Sequence, residues 1–292
     1  AKRRYRRAVW RELLRAEDMV DAKLHGKGSW VDVEEEDYDA DGSSEILVSS
    51  RQLNAYFKPD NGGSIFELDF KPKRVNVLDA VASRNSPVQN SFVDLFLQSR
   101  AGSDLDEILG SSISFSKESA SCDGNVLSDR DTRVVFTREG KLEDEERGNS
   151  MSLEKTFRFA ADQPDFKLRY RLINRGPDDL ERAFGVAFAF RTPDEDLSKA
   201  LFVDERAIEH WGDLPLSKNL AQNFFLEDRE IGYRIRLQFT MCSQLFLKPV
   251  KWPDGEISGV ALLALWEGPL PAQEILELDI ALEFEALEGS DA

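Results

Sequence analysis

Two cysteines, two histidines and three methionines are all the soft or readily metallated side chains that 292 residues contain. Cys122 and Cys242 cannot build a disulfide framework, so two free thiols in a reducing compartment are expected. Neither His25 nor His210 stands in His-x-x-x-His spacing and no Cys-x-x-Cys occurs, which leaves a zinc site without ligands. Gly-x-Ser-x-Gly elbows and glycine-rich phosphate cradles are missing too. No stretch approaches the roughly 20 apolar residues that a bilayer requires, and no charged-then-apolar leader is present. A soluble, cytoplasmic protein with no membrane partner is the expectation. Positive charge is also scarce: 38 Lys+Arg against 55 Asp+Glu give −17, which repels phosphate backbones and excludes nucleic acid as an expected partner.

What is present points to a packed core. Hydrophobic residues make up 41% of the chain, with 19 Phe and five Trp, which argues against disorder despite the charge. The length suits one large domain with a short appendage.

Residues 1–16, AKRRYRRAVWRELLRA, hold seven basic residues and one acid, a local +6 that leaves −23 for the rest. Tyr5, Val9, Leu13 and Ala16 fall on one helical face. A basic amphipathic helix can lie on an anionic surface. The plainer expectation is the last helix of a helical unit, its basic side facing an acidic partner surface.

From Trp30 onward the period is two. Phe166, Leu168, Tyr170 and Leu172 alternate with Lys167, Arg169 and Arg171, and the pattern recurs over Ile231–Phe239 and Leu276–Phe284. These are half-buried antiparallel strands, apolar inside and charged outside. Phe184, Val186, Phe188 and Phe190 alternate with Gly and Ala, as expected where both faces are covered. Further strands are expected at Glu45–Ser49, Leu53–Lys58, Ser64–Phe70, Arg133–Thr137, Leu153–Phe159, Gln244–Val250 and Gly259–Trp266. Asn61-Gly62-Gly63 and Arg175-Gly176-Pro177 supply turns. Helical signal within this region is confined to 92–109 and 194–210. The expected fold class is all-β: a large antiparallel two-sheet β-sandwich preceded by one N-terminal α-helix.

Asp37-Tyr38-Asp39-Ala40-Asp41-Gly42-Ser43-Ser44-Glu45 is the sharpest motif. Alternate carboxylates followed by Gly match the first half of a calcium loop, where a chain wraps a hard cation and Gly permits the closing turn. An EF-hand would place Glu where Val48 stands. Two readings stand: a non-EF Ca2+ loop with Asp37, Asp39, Asp41, Ser43 and Glu45 as ligands, or an acidic turn entering a strand.

His25, in a Gly-rich stretch, reads as a linker residue. His210 beside Trp211 could line a sugar site, and Trp211 and Trp252, near Gly or Pro in expected loops, could offer indole faces to sugar rings. Trp266 closes an apolar strand and reads as core. The 55 acids fit almost any glycosidase geometry, so counting them decides nothing.

Several stretches read together: RAVWRELLRAED from Arg7 to Asp18, then Trp30, YDADGSSEILV over Tyr38–Val48, Leu53–Phe57, GGSIFELDFKPKRVN over Gly62–Asn76, and SFVDLFL over Ser91–Leu97. This succession resembles the C-terminal part of glycoside hydrolase family 57 enzymes of the α-amylase and 4-α-glucanotransferase type. In that family a β/α barrel carries a glutamate nucleophile and an aspartate acid. A helical segment follows, and a β-sandwich of the galactose-mutarotase type closes the chain. The resemblance implies a helix tail at 1–22, a linker at 23–29 and the sandwich at 30–292. The barrel's His-Gln-Pro signature is absent, since Gly26 and Trp211 follow the two histidines. No catalytic residue carries over.

The implied function is a non-catalytic sandwich supporting a catalytic N-terminal barrel, with α-glucan or maltooligosaccharide as the ligand class. Two alternatives stand beside it: a sugar epimerase-like enzyme with His210 as proton donor, and an autonomous carbohydrate-binding module.

Overall fold

The computed structural model describes residues 2–79, 90–98, 105–110, 112, 120–128, 131–142, 150–192, 200–204, 206–210, 216–240, 242–252 and 254–287. One long helix, α1 (Lys2–Leu24), opens the chain, and nearly everything after it is antiparallel sheet. No described helix is long and apolar enough to cross a membrane.

The first sheet is a meander of β1 (Val31–Glu36), β2 (Glu45–Ser50), β3 (Leu53–Lys58), β4 (Ser64–Phe70) and β5 (Val75–Asn76), paired in chain order. A nine-stranded sheet follows the order β13-β12-β15-β16-β19-β10-β9-β8-β7. Its members are β7 (Ala120–Ser128), β8 (Asp131–Lys141), β9 (Ser150–Ala160), β10 (Asp165–Asn174), β12 (Leu201–Val203), β13 (Arg206–Ala207), β15 (Asn223–Asp228), β16 (Tyr233–Phe239) and β19 (Ile275–Ala286). The third sheet runs β14-β17-β18-β11-β6, with β6 (Val93–Gln98), β11 (Arg182–Arg191), β14 (Leu216–Asn219), β17 (Gln244–Lys251) and β18 (Ile257–Trp266).

Both five-stranded sheets pack on one face of the nine-stranded sheet. Phe57 of β3 meets Phe157 of β9 with ring centroids 4.7 Å apart, and Phe92 beside β6 meets Phe166 of β10 at 5.4 Å. A ladder bridge between Ile65 and Ser91 joins the two smaller sheets, helped by the Arg191 N–H donating to the Val77 carbonyl. The result is a two-layer sandwich around a phenylalanine-rich core, as the alternation predicts. The Gly62-Gly63 turn is needed there: Gly63 has φ +66, and a Cβ on it would lie 2.4 Å from the Phe136 ring.

The third sheet is covered on its outer side as well. Leu105, Ile108 and Leu109 of a short helix, α2 (Leu105–Gly110), pack with Ala187, Ala189, Leu263 and Leu265. That second covering explains the Gly/Ala alternation of β11. Among the described residues, the expected helical signal over 92–109 resolves into a strand, Val93–Gln98, paired with β11, and the helix that begins at Leu105. Val93, Leu95 and Leu97 are apolar on one face and Phe96 on the other, a spacing that also fits a helix, and edge pairing decides it. In 194–210, residues 201–203 and 206–207 are strands, and 193–199 lie outside the described residues.

Helix α1 lies against the sandwich through its polar side. Arg6 pairs with Asp79, and Arg7 contacts Glu230 at 2.6 Å. Further along, Asp18 accepts from Arg74 at 3.0 Å and Asp21 from Lys71 at 2.7 Å. The acidic surface that the basic start of the helix meets is therefore the sandwich's own. Leu14 is fully buried, whereas Tyr5, Val9, Leu13, Val20 and Leu24 are exposed. His25, expected as a linker residue, stacks on the buried Trp30 at 3.9 Å, with Nε2 3.2 Å from Asp32.

Candidate functional site

The acidic loop between β1 and β2 brings Asp37, Asp39 and Glu45 together, each with a carboxylate oxygen within 4.8 Å of the others. Gly42, at φ +94, closes the turn and donates its N–H to the Asp37 carboxylate at 3.2 and 3.3 Å. The Tyr38 N–H donates to Glu45 at 2.9 Å, and the Ser43 N–H to Asp41 at 2.9 Å. Glu45 is fully buried. Into this nest reaches the ammonium of Lys58 from β3, 2.6 Å from Asp39, 3.4 Å from Asp41 and 3.5 Å from Glu45. Pairing with Asp39 and Asp41 raises the Lys58 pKa against its partial burial. The donors are hard oxygens of the kind Ca2+ takes. A side-chain cation already stands where they converge, and a metal ion would enter by displacing it. Ser43 joins through its N–H to Asp41.

The expected sugar platforms are scattered. Trp211 lies outside the described residues. His210 is exposed on the segment after β13, at one end of the nine-stranded sheet. Trp252 follows β17 in the third sheet and is half-buried, with the Arg6 guanidinium 5.4 Å from its ring centroid. Trp266 is core, its Nε1 donating to the Thr240 carbonyl at 3.1 Å.

Two buried polar constellations escaped the sequence reading. The first lies under α1, on the face of the first sheet turned away from the core. Asn54 Nδ2 donates to Glu17 of the helix at 2.9 Å and to Asp69 at 3.2 Å. Glu67 lies on the same strand as Asp69; burial pushes its pKa up to about 7. Burial also raises the pKa of the fully enclosed Asp69, with Glu67 and Glu17 adding repulsion. The signal was there: Asn54 pairs with Asp69 and Tyr56 with Glu67, each out of phase with the apolar residues of β3 and β4. The helix that covers them left no mark in that pattern.

The second is sealed inside the sandwich. Lys155 of β9 occupies an inward position between Leu153 and Phe157, with its ammonium 3.1 Å from Asp94 of β6. Tyr170 of β10 donates its hydroxyl to the same Asp94 oxygen at 2.6 Å, and Lys155 donates to the carbonyls of Gly62 and Phe92. Burial lowers the Lys155 pKa and raises that of Tyr170. With all three side chains enclosed, this set pins β6, β9, β10 and the Gly62 turn together.

The chain matches the family model described as "Alpha-amylase/4-alpha-glucanotransferase, C-terminal" over residues 37–87 and 86–252, most of its length. It belongs to that family. Among relatives, it is 38% identical over 79 residues to a 4-alpha-glucanotransferase of Thermococcus kodakarensis and 40% identical over 79 residues to an alpha-amylase of Pyrococcus horikoshii. In both cases the match covers 27% of this chain and 11% of the relative. The 4-alpha-glucanotransferase structure from Thermococcus litoralis superposes with TM-score 0.69 at 20% identity, over 95% of this chain and 42% of that one. A galactose mutarotase-like protein from Clostridium acetobutylicum superposes with TM-score 0.62 at 11% identity, over 88% and 99%.

These likenesses bear out the fold and the family. The chain has a galactose mutarotase-like sandwich fold and belongs to the alpha-amylase/4-alpha-glucanotransferase C-terminal family. For this C-terminal family member, the buried carboxyls under α1 are enclosed by the helix, and the Lys155–Asp94–Tyr170 set by the core. Both lie between packed elements.

Proposed function

We propose that this chain is the non-catalytic sandwich of an α-glucan-processing hydrolase or glucanotransferase, and that α1 joins it to the catalytic portion of the same parent. One observation carries the reading. A surface helix normally turns its apolar stripe to the core and its charges to water. Here the charges hold the sandwich, while Tyr5, Val9, Leu13, Val20 and Leu24 form the outward stripe, Tyr5 at 74% and Leu24 at 70% exposure. Such a stripe calls for a partner surface, and the catalytic portion of the parent is the partner proposed. There, a carboxylate would form a glycosyl-enzyme that water or a sugar hydroxyl then resolves.

Incubated with maltooligosaccharides, the purified chain is expected to release no reducing ends; measurable release would overturn the non-catalytic reading. Co-expressed with the catalytic portion as a separate chain, it is expected to co-purify. The pair Val9→Glu and Leu13→Glu should abolish that, and unchanged co-purification would refute the docking role of α1.

A further inference from the structure

The outward face of the nine-stranded sheet carries a groove of about 820 Å³, open to solvent and within the size range of small-molecule sites. Its lining departs from the charge of the chain. Five cations, Arg133, Arg158, Lys167, Arg169 and Arg171, stand there against Glu154, Glu277 and Asp279, in a protein of net −17.

The strand register sorts these cations into two kinds. Arg169 is directly opposite Asp279 and bonded to it at 2.7 and 3.1 Å. Arg171 is directly opposite Glu277 and bonded to it at 3.0 Å. Two positions along, the rule breaks. Arg133 is opposite Arg158, and Arg158 is opposite Lys167, so three cations line up across β8, β9 and β10. Ala281 is the next residue in the row, where an acid would have neutralised it. No ion pair joins any of the three to an acid among the described residues, and the buried Nε of Arg133 has no hydrogen-bond partner. Asp165, two residues before Lys167 on β10, supplies the nearby negative charge.

Like charges directly opposite each other in a sheet are destabilising, and side chains there sit about 5 Å apart. Two Arg and a Lys so spaced present several donors to one anion, and guanidinium forks suit phosphate oxygens. A phosphate group alone would leave most of the groove empty. The rest of the lining, Thr156, Gln238, Glu277 and Asp279, offers hydroxyl, amide and carboxylate partners for a body rich in hydroxyls.

We infer that this groove binds a phosphorylated saccharide, its phosphate monoester on the Arg133–Arg158–Lys167 row and its hydroxyls on the neighbouring polar residues. The inference rests on the sheet register and not on the docking role given to α1.

Titration calorimetry of the chain with glucose 6-phosphate, inorganic phosphate and maltose, at low salt, tests it. Glucose 6-phosphate should bind at least about tenfold tighter than either of the others, and added salt should weaken it. The double variant Arg158→Ala, Lys167→Ala should lose at least about tenfold. Both side chains are exposed and face like charges, so its melting temperature should be no lower than that of the unaltered chain. Arg158→Gln alone should lose at least about threefold, a second reading should the double variant not fold. Phosphate or maltose binding as tightly as glucose 6-phosphate, or variants that bind like the unaltered chain, would overturn the inference.

Discussion

The outward face of the first sheet and that of the nine-stranded sheet are built by the same rule and end in different chemistry. In both, strands alternate apolar residues facing the core with polar ones facing away. Over the first sheet lies a helix, and the outward residues Glu67 and Asp69 become buried carboxyls whose protons are hard to remove. Over the nine-stranded sheet lies water, and Arg169 and Asp279 form an ordinary exposed pair, 55% and 60% accessible. Alternation tells which side of a strand faces the core. What the other side does depends on what covers it.

The covered face should dominate the stability of the chain as a function of pH. A carboxyl with a raised pKa in the folded state keeps a proton that the unfolded chain surrenders, so its contribution is complete below the unfolded value and shrinks as pH rises. For Glu67 the window runs from 4.5 to about 7, and the raised Asp69 acts in the same direction. Thermal melts should therefore show Tm falling from pH 5 to pH 8. Asp69→Asn should flatten that slope and raise Tm at pH 8 by about 5 °C. A slope unchanged by the substitution would mean that the cluster does not hold its protons.

Lys58 stands between the two extremes, 20% exposed among Glu45 of β2 and Asp39 and Asp41 of the loop that leads into it. Lys58→Gln leaves those carboxylates facing each other and should cost about 1–3 kcal/mol by denaturant unfolding. Millimolar calcium should restore part of that loss in the variant, by taking the place of the ammonium. A variant indifferent to calcium would leave the loop as an acidic turn.

The smallest effect belongs to the open face. Arg169→Ala should shift unfolding by less than about 1 kcal/mol, because water screens the pair it removes. A larger loss would show that the groove is less open than the comparison requires.

Much of the architecture was legible in the residues. Leu53–Lys58 and Ser64–Phe70 end where the alternation and the flanking turns end them, and Gly62-Gly63 marks the tight return between them. The helix was legible as a helix, yet its orientation was not. Apolar spacing identifies a stripe without saying which neighbour it meets, and here charge complementarity, Arg6 to Asp79 and Asp21 to Lys71, turned the stripe outward. The acidic loop is legible as a unit, but its partner Lys58 is a lone lysine at a strand end, brought near by pairing of β2 and β3. Lys155 was hidden differently: it sits on the apolar phase of β9, where only the phase of Leu153 and Phe157 reveals that it points inward.

The seam between the two smaller sheets has a mechanical meaning. Inside each sheet a strand is stitched to its neighbour along most of its length, whereas one small sheet meets the other, among the described residues, through isolated backbone bonds such as Ile65–Ser91 and Arg191–Val77. Aromatic rings and the buried Lys155–Asp94–Tyr170 set, not backbone ladders, hold both to the long sheet beneath. A pull delivered through α1 is shared among the three sheets: Asp18 and Asp21 hold Arg74 and Lys71 beside the first meander, Arg7 holds Glu230 at the long sheet, and Arg6 lies over Trp252 at the third.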